Sequence, residues 1–165
     1  MRLLYTLLFC LTFGNLTVAQ ISDNITLLYN WQDTTLPGSA AFDNPYNEVW
    51  GFVQDNSEYV VIGTTLGTHI FAVDDPVNAQ EVAFIPGEAQ GPVIIHRDYH
   101  DYNGYLYMVS DEGPSTLQIA DLSHLPDSAP VVYDSDDLFA RAHNIFIDTA
   151  TAKMYACGGS GNQLS

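Results

Sequence analysis

The chain has 165 residues, of which 20 are Asp or Glu and only four are Lys or Arg, so its formal net charge is -16. Such a surface repels phosphate backbones and anionic lipid headgroups, which argues against nucleic acids and acidic membranes as partners. Hydrophobic residues make up 47% of the sequence, enough for a packed core and too many for a disordered chain. The carboxylates suggest calcium as a cofactor, the alternative being that they only solvate the surface.

The N-terminus is predicted to be a secretory signal peptide, residues 1–19. Arg2 supplies a positive start, residues 3–13 form a largely apolar run, and the small residues Thr17 and Ala19 precede a cleavage site. This run is shorter than the about 20 apolar residues that a membrane-spanning helix needs. No later segment of the sequence is long and apolar enough to span a bilayer. The protein is therefore expected to be secreted, either into the medium or to the cell surface.

Beyond the leader, short apolar runs alternate with clusters of Gly, Asp, Asn and Pro, a pattern typical of strands and turns. The clearest strands are predicted at residues 59–63, 69–73 and 105–109. No window outside the leader shows a convincing apolar period of 3.6 residues. The predicted fold class is all-β.

The strand pattern also repeats along the chain, with a spacing of about 47 residues. Two strand segments recur in the same order, and a third copy begins after them: residues 60–63 and 70–74, then 107–110 and 117–121, then 155–158. A unit of roughly four strands and about 47 residues has the length of one β-propeller blade. A β-sandwich of a dozen short strands is the alternative, but it does not explain the regular spacing.

The repeat predicts an incomplete propeller of roughly two and a half to three blades. The chain would then be the N-terminal part of a longer protein. The strand nearest its mature N-terminus would close the ring by completing the last blade as that blade's outer strand. The predicted boundaries are a signal peptide at 1–19, a partial propeller domain at 20–165, units at about 47–92, 93–140 and 141–165 (the last truncated), and a ring-closing strand at 25–31.

A series of motifs resembles the bacterial choice-of-anchor B family. In chain order they are WQDTTLP at 31–37, YNEVWG at 46–51, GTTLGT at 63–68, IFAVDDP at 70–76, RD at 97–98, VSDE at 109–112 and AHNI at 142–145. The fourth is similar to the LVIVD-type repeat of that family, and the match spans about residues 25–160. Each motif alone is weak, but their order and spacing are specific. The resemblance implies a secreted propeller-like domain, often followed by a C-terminal cell-surface anchor, and no known reaction.

A first candidate site follows from the polar residues that precede each repeat. In a propeller the first strand of each blade lines the central channel, so these residues would gather at one mouth of the channel. Ion pairs that only hold blades together, such as Arg97 with Asp98 or Glu48, are the alternative. The candidate ligand-binding residues are Glu48, Arg97, Asp98, His143 and Asn144.

A second candidate site is a metal centre around residues 96–101. Alternate residues of a strand share one face, which would place two imidazoles and a carboxylate together. Zinc and other transition metals prefer such ligands, and a further one, such as His143, would come from elsewhere. His96 stands where the family usually has Trp, and His100 is outside the family pattern, so a role for either is particular to this protein. With two hairpin-loop carboxylates added, the candidate metal ligands are His96, Asp98, His100, Asp111 and Glu112.

These observations predict a secreted or cell-surface propeller module that binds or presents an extracellular ligand or a surface component, without catalysis of its own. The alternative is a metal-assisted hydrolase or lyase with its site at the channel mouth. A purely structural adhesion component is a third possibility.

Overall fold

The structure is a computed structural model, and it describes residues 24–159. The predicted signal peptide lies outside this range. The described residues form ten strands and no helix, which confirms the all-β class. Among them there is accordingly no helix with the length and hydropathy to cross a membrane. The strands are β1 Tyr46–Gln54, β2 Ser57–Thr64, β3 Gly67–Ala72, β4 Gln80–Pro86, β5 Arg97–Tyr102, β6 Tyr105–Ser110, β7 Leu117–Asp121, β8 Val131–Ser135, β9 Asn144–Asp148 and β10 Lys153–Cys157.

The ten strands form three antiparallel sheets whose strands pair in chain order. We call β1–β4 the first sheet, β5–β8 the second sheet and the β9–β10 hairpin the third sheet. The first and second sheets each have four strands in the same order. Within residues 24–159 the sheets do not close into a ring or barrel.

Turn chemistry explains why the first hairpins of the two larger sheets are alike. The β1–β2 turn uses Asp55 and Asn56 at φ of 52° and 66°, and the β5–β6 turn uses Asn103 and Gly104 at φ of 51° and 80°. Two consecutive residues with positive φ define the tight turn that matches the twist of paired strands, and Asn, Asp and Gly tolerate it best.

Strand β5 contacts the first sheet through one of its faces. The guanidinium Nε of Arg97 donates a hydrogen bond to the carbonyl of Thr64 at 2.7 Å. Two residues further along, the hydroxyl oxygen of Tyr99 lies 3.1 Å from Oγ1 of Thr68. Because side chains alternate along a strand, the same face of β5 makes both contacts.

The opposite face of β5 contacts the third sheet. The carboxylate of Asp98 accepts a hydrogen bond from the backbone N–H of Ile145 at 2.6 Å. The ring of His100 meets the ring of Phe146 edge to face at 5.6 Å between centroids. Strand β5 therefore lies between its two neighbouring sheets.

Two apolar clusters fill the spaces between the sheets. The cluster between the first and second sheets is larger, and burial of each of its large aliphatic side chains stabilises the fold by about 1.5–3 kcal/mol relative to an exposed position. It contains Phe52, Tyr59, Val61, Ile70, Ile85, Tyr99, Leu106, Met108, Ala120, Leu122 and Ala129. The cluster that links the second and third sheets contains Val109, Leu117, Ala142 and Ile145.

The segment 25–31 lies against the first sheet without regular secondary structure. Its last residue, Trp31, packs on the sheet, with ring centroids 4.8 Å from His69 and 5.0 Å from Phe71. The segment lines an apolar groove of about 650 Å³ together with residues of β2 and β3. A ring-closing role for this segment stays a prediction.

Candidate functional site

The candidate site lies where β5 begins and β6 ends. Arg97 and Ser110 face each other in this antiparallel pair, so the residue before β5 meets the residues after β6. The hydroxyl of Ser110 donates to the carbonyl of His96 at 3.1 Å, and the backbone N–H of Asp111 donates to the same carbonyl at 3.4 Å. Hairpin register therefore places His96 beside Asp111 and Glu112.

Glu112 holds both the backbone and the ring of His96. Its Oε2 accepts hydrogen bonds from the backbone N–H groups of Ile95 and His96, both at 2.9 Å. Its Oε1 lies 2.8 Å from Nδ1 of the His96 ring. Because an ionised carboxylate only accepts, Nδ1 carries the hydrogen, and Nε2 is the ring nitrogen available to a further ligand.

Asp111 makes the corresponding contact with His143, which directly precedes β9. Its Oδ2 lies 2.8 Å from Nδ1 of His143. The backbone N–H of His143 donates to the carbonyl of Cys157 at 2.8 Å. Gly158 allows this approach, since it has a φ of 72° and a Cβ atom there would fall 2.4 Å from Cβ of His143.

The two imidazole–carboxylate pairs lie side by side. The rings of His96 and His143 have centroids 4.8 Å apart and planes at 62°. His96, Asp111 and His143 each offer a ligand atom, and these atoms all lie within 4.8 Å of one another. The histidine side chains are about half exposed, at 46% and 45%. We call His96, Asp111, Glu112 and His143 the paired-histidine cluster.

Arg97, predicted at the channel mouth, is instead buried between the first and second sheets. It is 5% exposed, and its NH2 group donates to the carbonyl of Ala89 at 2.8 Å in addition to the bond from Nε to Thr64. Burial lowers the pKa of the Arg97 guanidinium, with the charges of Tyr99 and Glu112 acting in the opposite direction. These contacts join two sheets and leave the guanidinium little access to a ligand.

Asp98 and His100, predicted as metal ligands, lie apart from the cluster. The carboxylate of Asp98 accepts a hydrogen bond from the backbone N–H of Ile145. The ring of His100 packs against Trp50 at 4.9 Å and Phe146 at 5.6 Å between centroids. Asp98 therefore contacts the third sheet, whereas the His100 ring lies between Trp50 of the first sheet and Phe146 of the third.

The other two residues predicted at the mouth make local contacts. Oε1 of Glu48 accepts a hydrogen bond from the backbone N–H of Val49 at 2.8 Å. Asn144 is exposed, and its backbone carbonyl oxygen accepts a hydrogen bond from Sγ of Cys157 at 3.6 Å. Of the five residues predicted at the mouth, the paired-histidine cluster contains only His143.

Three of the five predicted metal ligands, His96, Asp111 and Glu112, do come together, and they are joined by His143, which the sequence suggested as a further ligand. The signal that could have selected them is hairpin register, because the residue before β5 and the residues after β6 must be neighbours. The pairing of Asp111 with His143 spans 32 residues and has no local signal.

Comparison of the chain with protein-family models, with curated proteins and with solved structures finds no match. The resemblance to the choice-of-anchor B family stays a prediction from the sequence.

Proposed function

We propose that the protein is an exported β-propeller module, similar to the choice-of-anchor B family, that binds or presents a ligand at the cell surface. The observation that carries the proposal is the position of β5. One face of this strand contacts the first sheet and the other contacts the third. Sheets stacked face to face through their first strands are what neighbouring propeller blades require.

Three further observations support the proposal. The first and second sheets share strand order and hairpin chemistry, as repeated blades do. The N-terminal sequence has the features of a secretory signal. The strongly negative charge raises the local concentration of cations, so a ligand that carries or is bridged by a cation fits this surface better than an anion.

The test uses the full-length product of the gene in its own cell. We expect N-terminal sequencing of the mature protein to begin at Gln20, and protease added to intact cells, or assay of the medium, to reach the protein. Negative-stain images of the purified protein should show rings with a central channel. A cytoplasmic product that retains residues 1–19, or particles without a ring, would contradict the proposal.

The paired-histidine cluster favours a second candidate function, a metal-assisted hydrolase or lyase. Two half-exposed imidazoles and the carboxylate of Asp111 are the groups that such reactions use to hold a metal ion and its bound water. Activity that a chelator removes and an added metal restores would support the enzyme. A calcium-dependent rise in melting temperature without activity would support the binding module.

A further inference from the structure

We infer that the paired-histidine cluster binds one first-row transition-metal ion of the zinc type through His96, His143 and Asp111. The inference does not rest on the proposed function, because all three side chains belong to described sheets whether or not these are propeller blades. It requires no catalysis either.

The donor set selects the class of metal. Two imidazole nitrogens and one carboxylate oxygen are a common protein ligand set for zinc, with water in the fourth position. Calcium needs six to eight oxygen ligands, and imidazole is not among those it favours. The composition of the chain suggests calcium, whereas the chemistry of this cluster favours zinc, copper, iron or nickel.

The distances allow a metal ion after a small rearrangement of the side chains. Donor atoms about 2.0–2.1 Å from a tetrahedral zinc ion lie roughly 3.4 Å from one another. One ligand atom of each of His96, Asp111 and His143 lies within 4.8 Å of the other two. Nδ1 of His143 and Oδ2 of Asp111, now 2.8 Å apart, have to separate by roughly half an ångström, and the His96 ligand atom has to approach by at most about 1.4 Å. Both histidine side chains are about half exposed and have room for that adjustment.

The hydrogen bonds of the cluster indicate which atoms bind. Glu112 engages Nδ1 of His96, which directs Nε2 of that ring to the metal. Nδ1 of His143 and Oδ2 of Asp111 already face each other at 2.8 Å. A metal ion can take the place of the hydrogen between them, and the imidazole hydrogen then moves to Nε2 of His143.

Glu112 acts as a positioning residue. A carboxylate that holds the far nitrogen of a metal-binding histidine fixes the orientation of the ring and makes it a better ligand. Glu112 is itself held by the backbone N–H groups of residues 95 and 96, and its side chain is only 17% exposed. Glu112 is therefore fixed in position and holds the His96 ring in one orientation.

The test is a zinc titration of the full-length protein after removal of metals with a chelator. Calorimetry should show one zinc ion per chain. Cobalt in place of zinc should give the visible absorption bands of a four-coordinate site, a readout that needs neither activity nor a variant. We expect His96→Ala and His143→Ala each to weaken zinc binding by roughly 100-fold or more, and Glu112→Gln by roughly 10- to 100-fold.

His124→Ala is the matched control. His124 is an exposed histidine whose nearest acidic partner, Asp121, lies 3.9 Å away. This variant should bind zinc as tightly as the wild type. If an alanine variant loses its fold, as judged by circular dichroism, the conservative variants His96→Gln and His143→Gln replace it.

Absence of zinc binding, equal zinc affinity in the His96, His143 and His124 variants, or preferential binding of calcium at the cluster would each overturn the inference. None of these results bears on whether the protein forms rings or is exported, so the metal site and the proposed function can fail separately.

Discussion

The carboxylate of Asp98 accepts a hydrogen bond from the backbone N–H of Ile145, with the two atoms 2.6 Å apart. Asp98 lies on β5 and Ile145 on β9, so the bond joins the first strands of the second and third sheets. Ile145 is 6% exposed, and water has little access to its N–H group. Replacement of the carboxylate therefore leaves a buried donor without a partner.

We expect Asp98→Ala to lower the free energy of unfolding by about 1–3 kcal/mol, the usual cost of an unsatisfied buried group. Urea denaturation of the full-length protein measures the change. Asp136→Ala removes an exposed loop carboxylate and should change stability by less than about 0.5 kcal/mol. Equal effects of the two substitutions would show that the bond does not hold the sheets together.

A double-mutant cycle tests the packing of Gly87 against Arg97. A Cβ atom on Gly87 would lie 2.4 Å from one guanidinium nitrogen of Arg97 and 2.5 Å from another. In the wild type, Gly87→Ala should destabilise the protein by roughly 1–3 kcal/mol, because the buried guanidinium cannot move without losing its hydrogen bonds. In the Arg97→Ala background the same substitution should be close to neutral, because the clashing group is gone. Additive effects in a urea-denaturation cycle would contradict the contact.

Because the hydroxyl of Tyr99 is buried, we expect the protein to lose stability at alkaline pH. Burial raises the pKa of its hydroxyl to about 12, although the nearby Arg97 acts to lower it. An unfolded tyrosine has a pKa near 10, so the contribution of Tyr99 is fully present below about pH 10 and is lost between about pH 10 and pH 12. A shift of this size corresponds to about 2–3 kcal/mol.

Urea denaturation of the wild type and of Tyr99→Phe across this range measures the effect. At neutral pH the free energy of unfolding of the variant should be about 1 kcal/mol lower than that of the wild type, because the hydrogen bond to Thr68 is lost. Above pH 10 the stability of the variant should fall less steeply than that of the wild type. Some slope should remain, because burial also raises the pKa values of Tyr59 and Tyr107. An unchanged slope in Tyr99→Phe, or a reduced slope in a control variant of the half-exposed Tyr155, would contradict this account.

The propeller proposal predicts that residues 20–165 do not fold stably alone. Phe146 and Tyr155 are paired across β9 and β10 and are 59% and 50% exposed, although one edge of the Phe146 ring contacts His100. A further blade would cover the exposed surface of both rings. The isolated piece should associate in sedimentation experiments and melt without a sharp transition. Replacement of both aromatic residues by threonine should reduce the association. A cooperative monomeric transition of the piece would contradict the prediction.

The strands and their hairpins could be predicted because their signals are local. Alternating apolar residues predicted strands at 59–63, 69–73 and 105–109, and the structure has strands at Ser57–Thr64, Gly67–Ala72 and Tyr105–Ser110. The turn at Asn103 and Gly104 follows from the ability of these residues to adopt positive φ. The same local chemistry directed attention to Asp111 and Glu112 as loop carboxylates.

The roles of individual site residues could not be predicted in the same way. Arg97 and His143 occupy corresponding positions at the N-terminal ends of β5 and β9, and both contact the preceding sheet. Arg97 is buried against backbone carbonyls, whereas His143 remains half exposed beside Asp111. Whether the side chain at this position is buried or exposed depends on the space beside the preceding sheet. The residues next to it in the sequence do not indicate how large that space is.

By itself, the sequence determined the all-β class and the positions of several strands, because apolar alternation and turn preference act over a few residues. Only the tertiary structure decided that Asp98 binds the backbone of Ile145 and that Asp111 binds His143. Those partners are 47 and 32 residues apart. They meet because separate sheets pack face to face to bury their apolar surfaces, and this packing sets the distance between side chains that no local pattern connects.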